Sequence, residues 1–280
     1  MTKRKKIIIL LAAALVVSAA VAFYSGLVLR RYTISTDKIS LEQSYTFVLL
    51  TDLHSTIHGD KQQKLIDLVK AENPDAIFLV GDIADDEVPI LGTQLLLEGI
   101  SDLCPIYYVT GNHEFWSNEV DAIRAEIERY GVRILSDEYI RLELDGTPFL
   151  IGGLEDPDRR NYEKMDYPFW EAPERAFGDL EWDKTFKILL AHRPENIGQY
   201  CQYPFDLVVS GHAHGGQVRI PFLLNGLYAP NQGWFPAYAG GAYEHGDTTH
   251  VVSRGLSVNP RLPRIFNPPE VVVITMERLK

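Results

Sequence analysis

Cysteine is almost missing from this 280-residue chain: there are two, Cys104 and Cys201. Two thiols cannot build a disulfide scaffold or a cysteine-based zinc site. They could form one bridge outside the cell, but the expectation is two buried free thiols. Acidic residues are absent from residues 1–31, which carry Lys3, Arg4, Lys5, Lys6, Arg30 and Arg31. Basic residues are scarce in the rest: 21 Lys and Arg stand against 38 Asp and Glu, a formal net of −17. Such a body lacks the concentrated basic charge that a nucleic-acid backbone requires, so nucleic acid is excluded as the main partner. There is no repeat, no low-complexity tract and no interior linker, so residues 32–280 read as one domain. Apolar content of 46% and charged content of 23% exclude a disordered chain.

Long apolar runs are also missing, with one exception. Ile7 to Leu29 is broken only by Ser18, Tyr24, Ser25 and Gly26. That length suffices for a membrane helix, which needs about 20 residues. Lys3–Lys6 before it favour a cytoplasmic N-terminus, with Arg30 and Arg31 following. The expectation is a single-pass anchor over residues 1–31, helical from 7 to 29, in the cell membrane, with the acidic body outside the cytoplasm. The rival reading is a cleaved signal peptide ending near Ala20-Val21-Ala22, although the apolar stretch exceeds the usual h-region. No Arg-Arg pair precedes the run, so a twin-arginine signal is not supported.

Five short apolar runs in the body end abruptly in groups able to bind metal. Phe47–Leu50 leads to Asp52 and His54, Ala76–Val80 to Asp82, and Ile106–Val109 to Asn112 and His113. Ile188–Leu190 leads to His192, and Leu207–Val209 to His212 and His214. Runs of three to five residues rich in Val, Ile, Phe and Tyr read as buried strands. A helical stripe follows each of the first three, within Lys61–Glu72, Val88–Leu103 and Asn118–Tyr130. Alternating strands and helices imply parallel strands whose carboxyl ends share one edge, where ligands bind. Asp52-x-His54 and His212-x-His214 have a spacing of two, which puts both side chains on one face if the backbone is extended.

The pattern then changes. Ile140–Leu144 alternates, Asp145-Gly146 is a hairpin turn, and Pro148–Ile151 follows. Val271–Met276 reads as a last strand. Glu155–Lys184 and the aromatic-rich Pro221–Gly246 read as long loops, the second packed on itself, with a cover over the site or a membrane contact as the alternative. His58, His245 and His250 fit no pattern and read as surface or loop histidines.

Two carboxylates, an Asn oxygen and several imidazoles, with no thiolate, suit Mn, Fe or Zn. The ordered set Asp52-x-His54, Gly81-Asp82-x-x-Asp85, Gly111-Asn112-His113-Glu114, His192 and Gly211-His212-x-His214 resembles the calcineurin-like metallophosphoesterase superfamily. Gly215-Gly216-Gln217, Val252–Gly255 and Asn267–Glu270 resemble a branch of membrane-associated bacterial phosphodiesterases that includes UDP-2,3-diacylglucosamine pyrophosphatase-like enzymes.

The resemblance implies an α/β sandwich of two mixed sheets flanked by helices, and two divalent cations. One would be held by Asp52, His54, Asp82 and His214, the other by Asp82, Asn112, His192 and His212, with Asp82 bridging. It implies a metal-activated hydroxide attacking a phosphodiester or pyrophosphate. His113 would be the general acid, and Asp85 would orient its imidazole. Asn112, His113 and Arg193 would touch substrate, although a surface ion pair is an equal reading for Arg193. Glu114 could simply brace its loop. Protein Ser/Thr phosphatases of the superfamily have Arg after the second Asp of Gly-Asp-x-x-Asp. Here Asp86 stands there, which argues against phosphoprotein substrates. The expected function is a membrane-anchored phosphoesterase whose substrate could be lipid-linked, such as UDP-2,3-diacylglucosamine. The alternative is a non-catalytic metal-binding scaffold. The sequence leaves the oligomeric state unassigned.

Overall fold

A computed structural model describes residues 2–40, 43–166, 168–258 and 262–279. Strands β2 (Ser44–Leu50), β3 (Ala76–Val80), β4 (Ile106–Val109), β8 (Phe186–Ala191) and β9 (Leu207–Ser210) coincide with the five apolar runs. They belong to two six-stranded sheets. The first has the order β1–β14–β2–β3–β4–β5, with β1 at Val28–Thr36, β5 at Arg133–Ile134 and β14 at Glu270–Arg278. The second has the order β12–β13–β9–β8–β7–β6, with β6 at Glu138–Leu144, β7 at Thr147–Leu154, β12 at Gly241–His245 and β13 at Thr248–Val252. Both sheets are mixed. β14 runs antiparallel to β2, while β2, β3 and β4 are mutually parallel. β7, β8 and β9 are parallel, and β6 and β12 are antiparallel edges.

Both faces of the central strands are covered, which explains their unbroken apolar character. Phe47, Leu49, Phe78 and Val80 face Phe149, Ile188, Leu190 and Val209 across the sandwich interior. Their neighbours Val48, Leu50, Ile77 and Leu79 turn outward against helices α2 (Gln63–Ala71), α3 (Leu91–Ile100) and α5 (Val120–Glu128). Leu189 and Val208 pack outward on α7 (Ala172–Phe177) and α8 (Ile197–Tyr200). The result is four layers: helices, sheet, sheet, helices.

Several expectations need correction. The N-terminal helix α1 is Lys3–Ala22, shorter than 7–29, and Ala22 is its only buried residue. It remains long and apolar enough to span a membrane. Val28–Thr36 is not part of it but an edge strand paired in parallel with β14 over nine positions. Arg30 and Arg31, read as flanks of a membrane helix, lie on that strand, and the boundary expected at residue 31 falls inside it. Arg31 is bonded to Glu72. The loop expected over 155–184 contains α6 (Arg159–Glu163) and α7, with Tyr167 outside the described residues. The loop expected over 221–246 carries a small ribbon, β10 (Tyr228–Ala229) and β11 (Gly233–Trp234), and all of β12. His58 and His250 are buried, not surface, residues. Both cysteines are free and half-buried.

Candidate dinuclear metal centre

All seven expected ligands follow the carboxyl ends of β2, β3, β4, β8 and β9 and meet at one edge of the sandwich. Side chains of Asp52, His54, Asp82 and His214 offer ligand atoms within 4.8 Å of one another, as do those of Asp82, His192 and His212. Asp82 belongs to both groups. Buried atoms without a hydrogen-bond partner among the described residues include Asp52 Oδ2, Asp82 Oδ2, His54 Nε2, His192 Nε2 and Asn112 Oδ1. Unsatisfied buried polar atoms cost about 1–3 kcal/mol each. Five converging on one place fit cations, so the donor set suits the two divalent metals that the family implies.

The means of convergence differs from the spacing argument. Asp52, His54, Asp82, His212 and His214 all have positive φ, between 46° and 65°. The backbone is therefore not extended there; left-handed turns aim the side chains, at roughly 1–3 kcal/mol of strain per residue. Close packing adds a second constraint. A Cβ on Gly111 would lie 2.2 Å from Asp82 Oδ1, and one on Gly81, which has φ of +75°, would lie 2.2 Å from His192 Nδ1. Gly81 supplies the turn, whereas Gly111 supplies space.

Hydrogen bonds fix which ring nitrogens face the centre. His192 Nδ1 donates to the Val80 carbonyl at 2.9 Å, which turns Nε2 inward, 3.1 Å from Asp82 Oδ2. His212 Nε2 lies 2.8 Å from Asn231 Oδ1, leaving Nδ1 for a metal. Asn231 was not anticipated; it sits in the aromatic loop, and no sequence pattern announces it. Glu114 indeed braces its loop, accepting from four backbone N–H groups.

The role expected of Asp85 falls to Asp86. His113 Nδ1 is 2.6 Å from Asp86 Oδ1 and 3.6 Å from Asp85 Oδ2. Asp85 instead lies 2.8 Å from His54 Nδ1 and orients that ligand. The residue that argued against phosphoprotein substrates thus positions the expected acid. Arg193 is also corrected. It is buried, paired with Asp156 and Asp158, and donates to Asn231 Oδ1 at 2.6 Å. It supports His212 from behind and does not line the cleft of about 650 Å³ that His54, His113, Trp116, His214 and Arg264 border.

Protons neutralise the cluster when metal is absent. Burial alone would lower the His192 pKa, but Asp82 and Asp52 overcome it and push it up to about 10. Burial also opposes charge on His54, yet Asp85 and Asp82 raise its pKa. The Asp82 carboxyl is held well below its ordinary value, because His192 and His54 outweigh its burial. Burial lowers His212 and His214, reinforced by Arg193 and His54 respectively. Metal must displace the His192 proton, so loading at pH 7 is expected to release about one proton per chain. Affinity should then rise about tenfold per pH unit below the His192 value. Calorimetry in buffers of different ionisation enthalpy would measure this; a proton-neutral titration would contradict it.

Comparison with known proteins agrees with this geometry. The calcineurin-like phosphoesterase family profile matches residues 45–216. An uncharacterized metallophosphoesterase of Campylobacter jejuni is 30% identical over 247 residues, covering 86% of this chain and 61% of its own length. A zebrafish (Danio rerio) transmembrane protein with a metallophosphoesterase domain is 28% identical, covering 76% of this chain and 52% of its own length. The chain therefore spans about half to two thirds of these relatives. The solved NAD nucleotidase of Haemophilus influenzae covers 76% of the chain and 45% of its own length, with a TM-score of 0.52 at 15% identity, a likeness of fold alone. With its ligand set assembled at the strand ends and the profile spanning most of the body, the chain belongs to the calcineurin-like metallophosphoesterase family.

Proposed function

We propose that the protein is a membrane-anchored hydrolase that cleaves phosphodiester or pyrophosphate bonds at a dinuclear metal centre. The observation that carries this reading is the set of buried, unpartnered ligand atoms sharing Asp82. Asp52, His54, Asp82 and His214 would hold one cation, and Asp82, Asn112, His192 and His212 the other. Bound there, two divalent cations would supply charge neutralisation at the phosphoryl oxygens and acidify an attacking water. His113 borders the cleft and would protonate the leaving oxygen, with Asp86 holding its ring. Asp85 holds His54. Trp116, 4.8 Å from the His113 ring, walls the leaving-group side.

Membrane attachment has support in α1 and in the zebrafish relative's description. A lipid-linked pyrophosphate such as UDP-2,3-diacylglucosamine fits an anchored site but demands a cytoplasmic body. A topology reporter after the C-terminus decides between that substrate and an extracytoplasmic enzyme.

Full-length protein stripped by a chelator and reloaded with Mn, Fe, Zn or Mg is the direct test. Turnover of an aryl phosphodiester should vanish on stripping and return with metal, exceeding turnover of the matching monoester. Two bound metals with neither ester hydrolysed would overturn the reading in favour of a binding scaffold.

A further inference from the structure

The turn after the catalytic cleft exposes apolar side chains that the protein itself leaves uncovered. Ile220 and Leu224 close the turn through reciprocal backbone bonds of 3.0 and 2.8 Å. At its tip Phe222 is 108% exposed and Leu223 85%. Tyr228, Trp234 and Phe235, further along the same loop, are exposed as well. The loop packs partly on itself, as Tyr228 and Trp234 meet edge-on with ring centroids 5.4 Å apart, yet both stay exposed.

The position of the turn identifies what covers it. Pro221, Phe266 and Pro268 border an apolar cavity of about 480 Å³ together with Val17, Ala20, Val21 and Tyr24 of the α1 end. The Phe266 N–H donates to the Ala22 carbonyl at 2.7 Å, tying the two together. Wherever the apolar side chains of α1 lie in hydrocarbon, Pro221 and Phe266 lie beside their last turn. Phe222 and Leu223 immediately follow Pro221.

We infer that the 220–224 turn is a membrane-seating surface that enters the interfacial layer beside α1 and holds the catalytic mouth at lipid head-group level. The reading rests on α1 crossing the bilayer, as proposed above. Chain length fixes the second half of it. Gln217 lines the catalytic cleft and Pro221 lines the α1 cavity, and four extended residues reach at most about 14 Å. Arg264 lines the cleft and Phe266 the cavity, a reach of at most about 7 Å. The head-group layer of one leaflet is about 5–8 Å thick. The cleft therefore cannot stand far from the surface. Val258 and Leu262, both exposed at its rim, continue the apolar character. Aromatic side chains such as Tyr24 at the end of α1 favour this interfacial depth.

The test uses the full chain carrying Phe222→Trp in phosphatidylcholine vesicles, some with acyl chains brominated near the glycerol end. Relative to the unaltered chain, the added emission should be blue-shifted. It should lose about half or more of its intensity in the brominated vesicles and resist iodide, as an interfacial indole does. Added emission quenched by iodide and not by bromine would overturn the inference. Shielding from both quenchers would overturn it too, because a protein partner or a second copy would then cover the turn. Unchanged hydrolysis of a soluble aryl ester verifies folding of the variant. Emission is read without turnover, so an inactive but bromine-quenched chain refutes the enzyme and keeps the surface, and the converse refutes only the surface.

Discussion

Asp82→Asn is expected to cut aryl phosphodiester hydrolysis by at least about 10³-fold while leaving the fold intact, an estimate based on losing the group shared by both cations. The two ends of this carboxylate do different work. Oδ1 accepts the His113 backbone N–H at 2.9 Å, whereas Oδ2 is buried and lies 3.1 Å from His192 Nε2, its counter-charge. The amide oxygen of Asn must keep the His113 bond, since an NH₂ group cannot accept it. The NH₂ end then points at the metal positions, replacing an anionic acceptor by a donor. Bound metal should fall from two per chain to one or none, and His192 should lose its main counter-charge. Steady-state kinetics with metal analysis on the same sample checks this. Wild-type turnover with two metals retained would remove Asp82 from its bridging role.

The second large effect is structural. Glu114→Gln is expected to destabilise the protein by about 2–6 kcal/mol, from two buried donors left unpaired at about 1–3 kcal/mol each. Glu114 Oε2 accepts from Asp82 and Gly111 N–H, at 3.0 and 2.8 Å, and Oε1 from Ile83 and Ala84 N–H, at 2.8 and 3.0 Å. Burial and the Asp82 charge raise its pKa, which by itself would favour a neutral replacement. Yet a neutral amide has one acceptor end and would set its own donors against two of the four N–H groups. The donors decide the sign, because four backbone N–H groups face the carboxylate. Thermal melts should show a drop of about 5–20 °C for a body of this size. Metal affinity should fall too, since these four N–H groups shape the turns that carry Asp82 and Asn112. An unchanged melting temperature would mean that the carboxylate is dispensable to the turns.

What could be read from sequence followed the degree of burial. β3 and β4 were visible as unbroken apolar runs because both faces are covered, and the Asp145-Gly146 turn marked the β6–β7 hairpin at its register, Leu144 opposite Thr147. β1 was invisible because it is an edge strand with charged residues, and its partner lies some 240 positions away. The Gly246-Asp247 turn between β12 and β13 carries a hairpin signal, but the aromatic and glycine content upstream obscured it. The candidate ligands that gather at one edge were legible from motif order. The mode of convergence was not, because left-handed φ at residues such as His54 and His212 depends on tertiary support. For the same reason spacing could not decide which of Asp85 and Asp86 faces His113, and nothing local ties Asn231 to His212.

The placement of β14 has a consequence for synthesis. β14 lies between β1 and β2, both made more than 200 residues earlier. On the ribosome, β2 must therefore wait with one edge bare until Glu270–Arg278 emerges, although β3 and β4 can pair with its other edge early. Such an edge recruits other strands. A variant lacking Glu270–Arg278 would keep that edge permanently, and its loss should harm the nascent protein more than its distance from the cleft suggests.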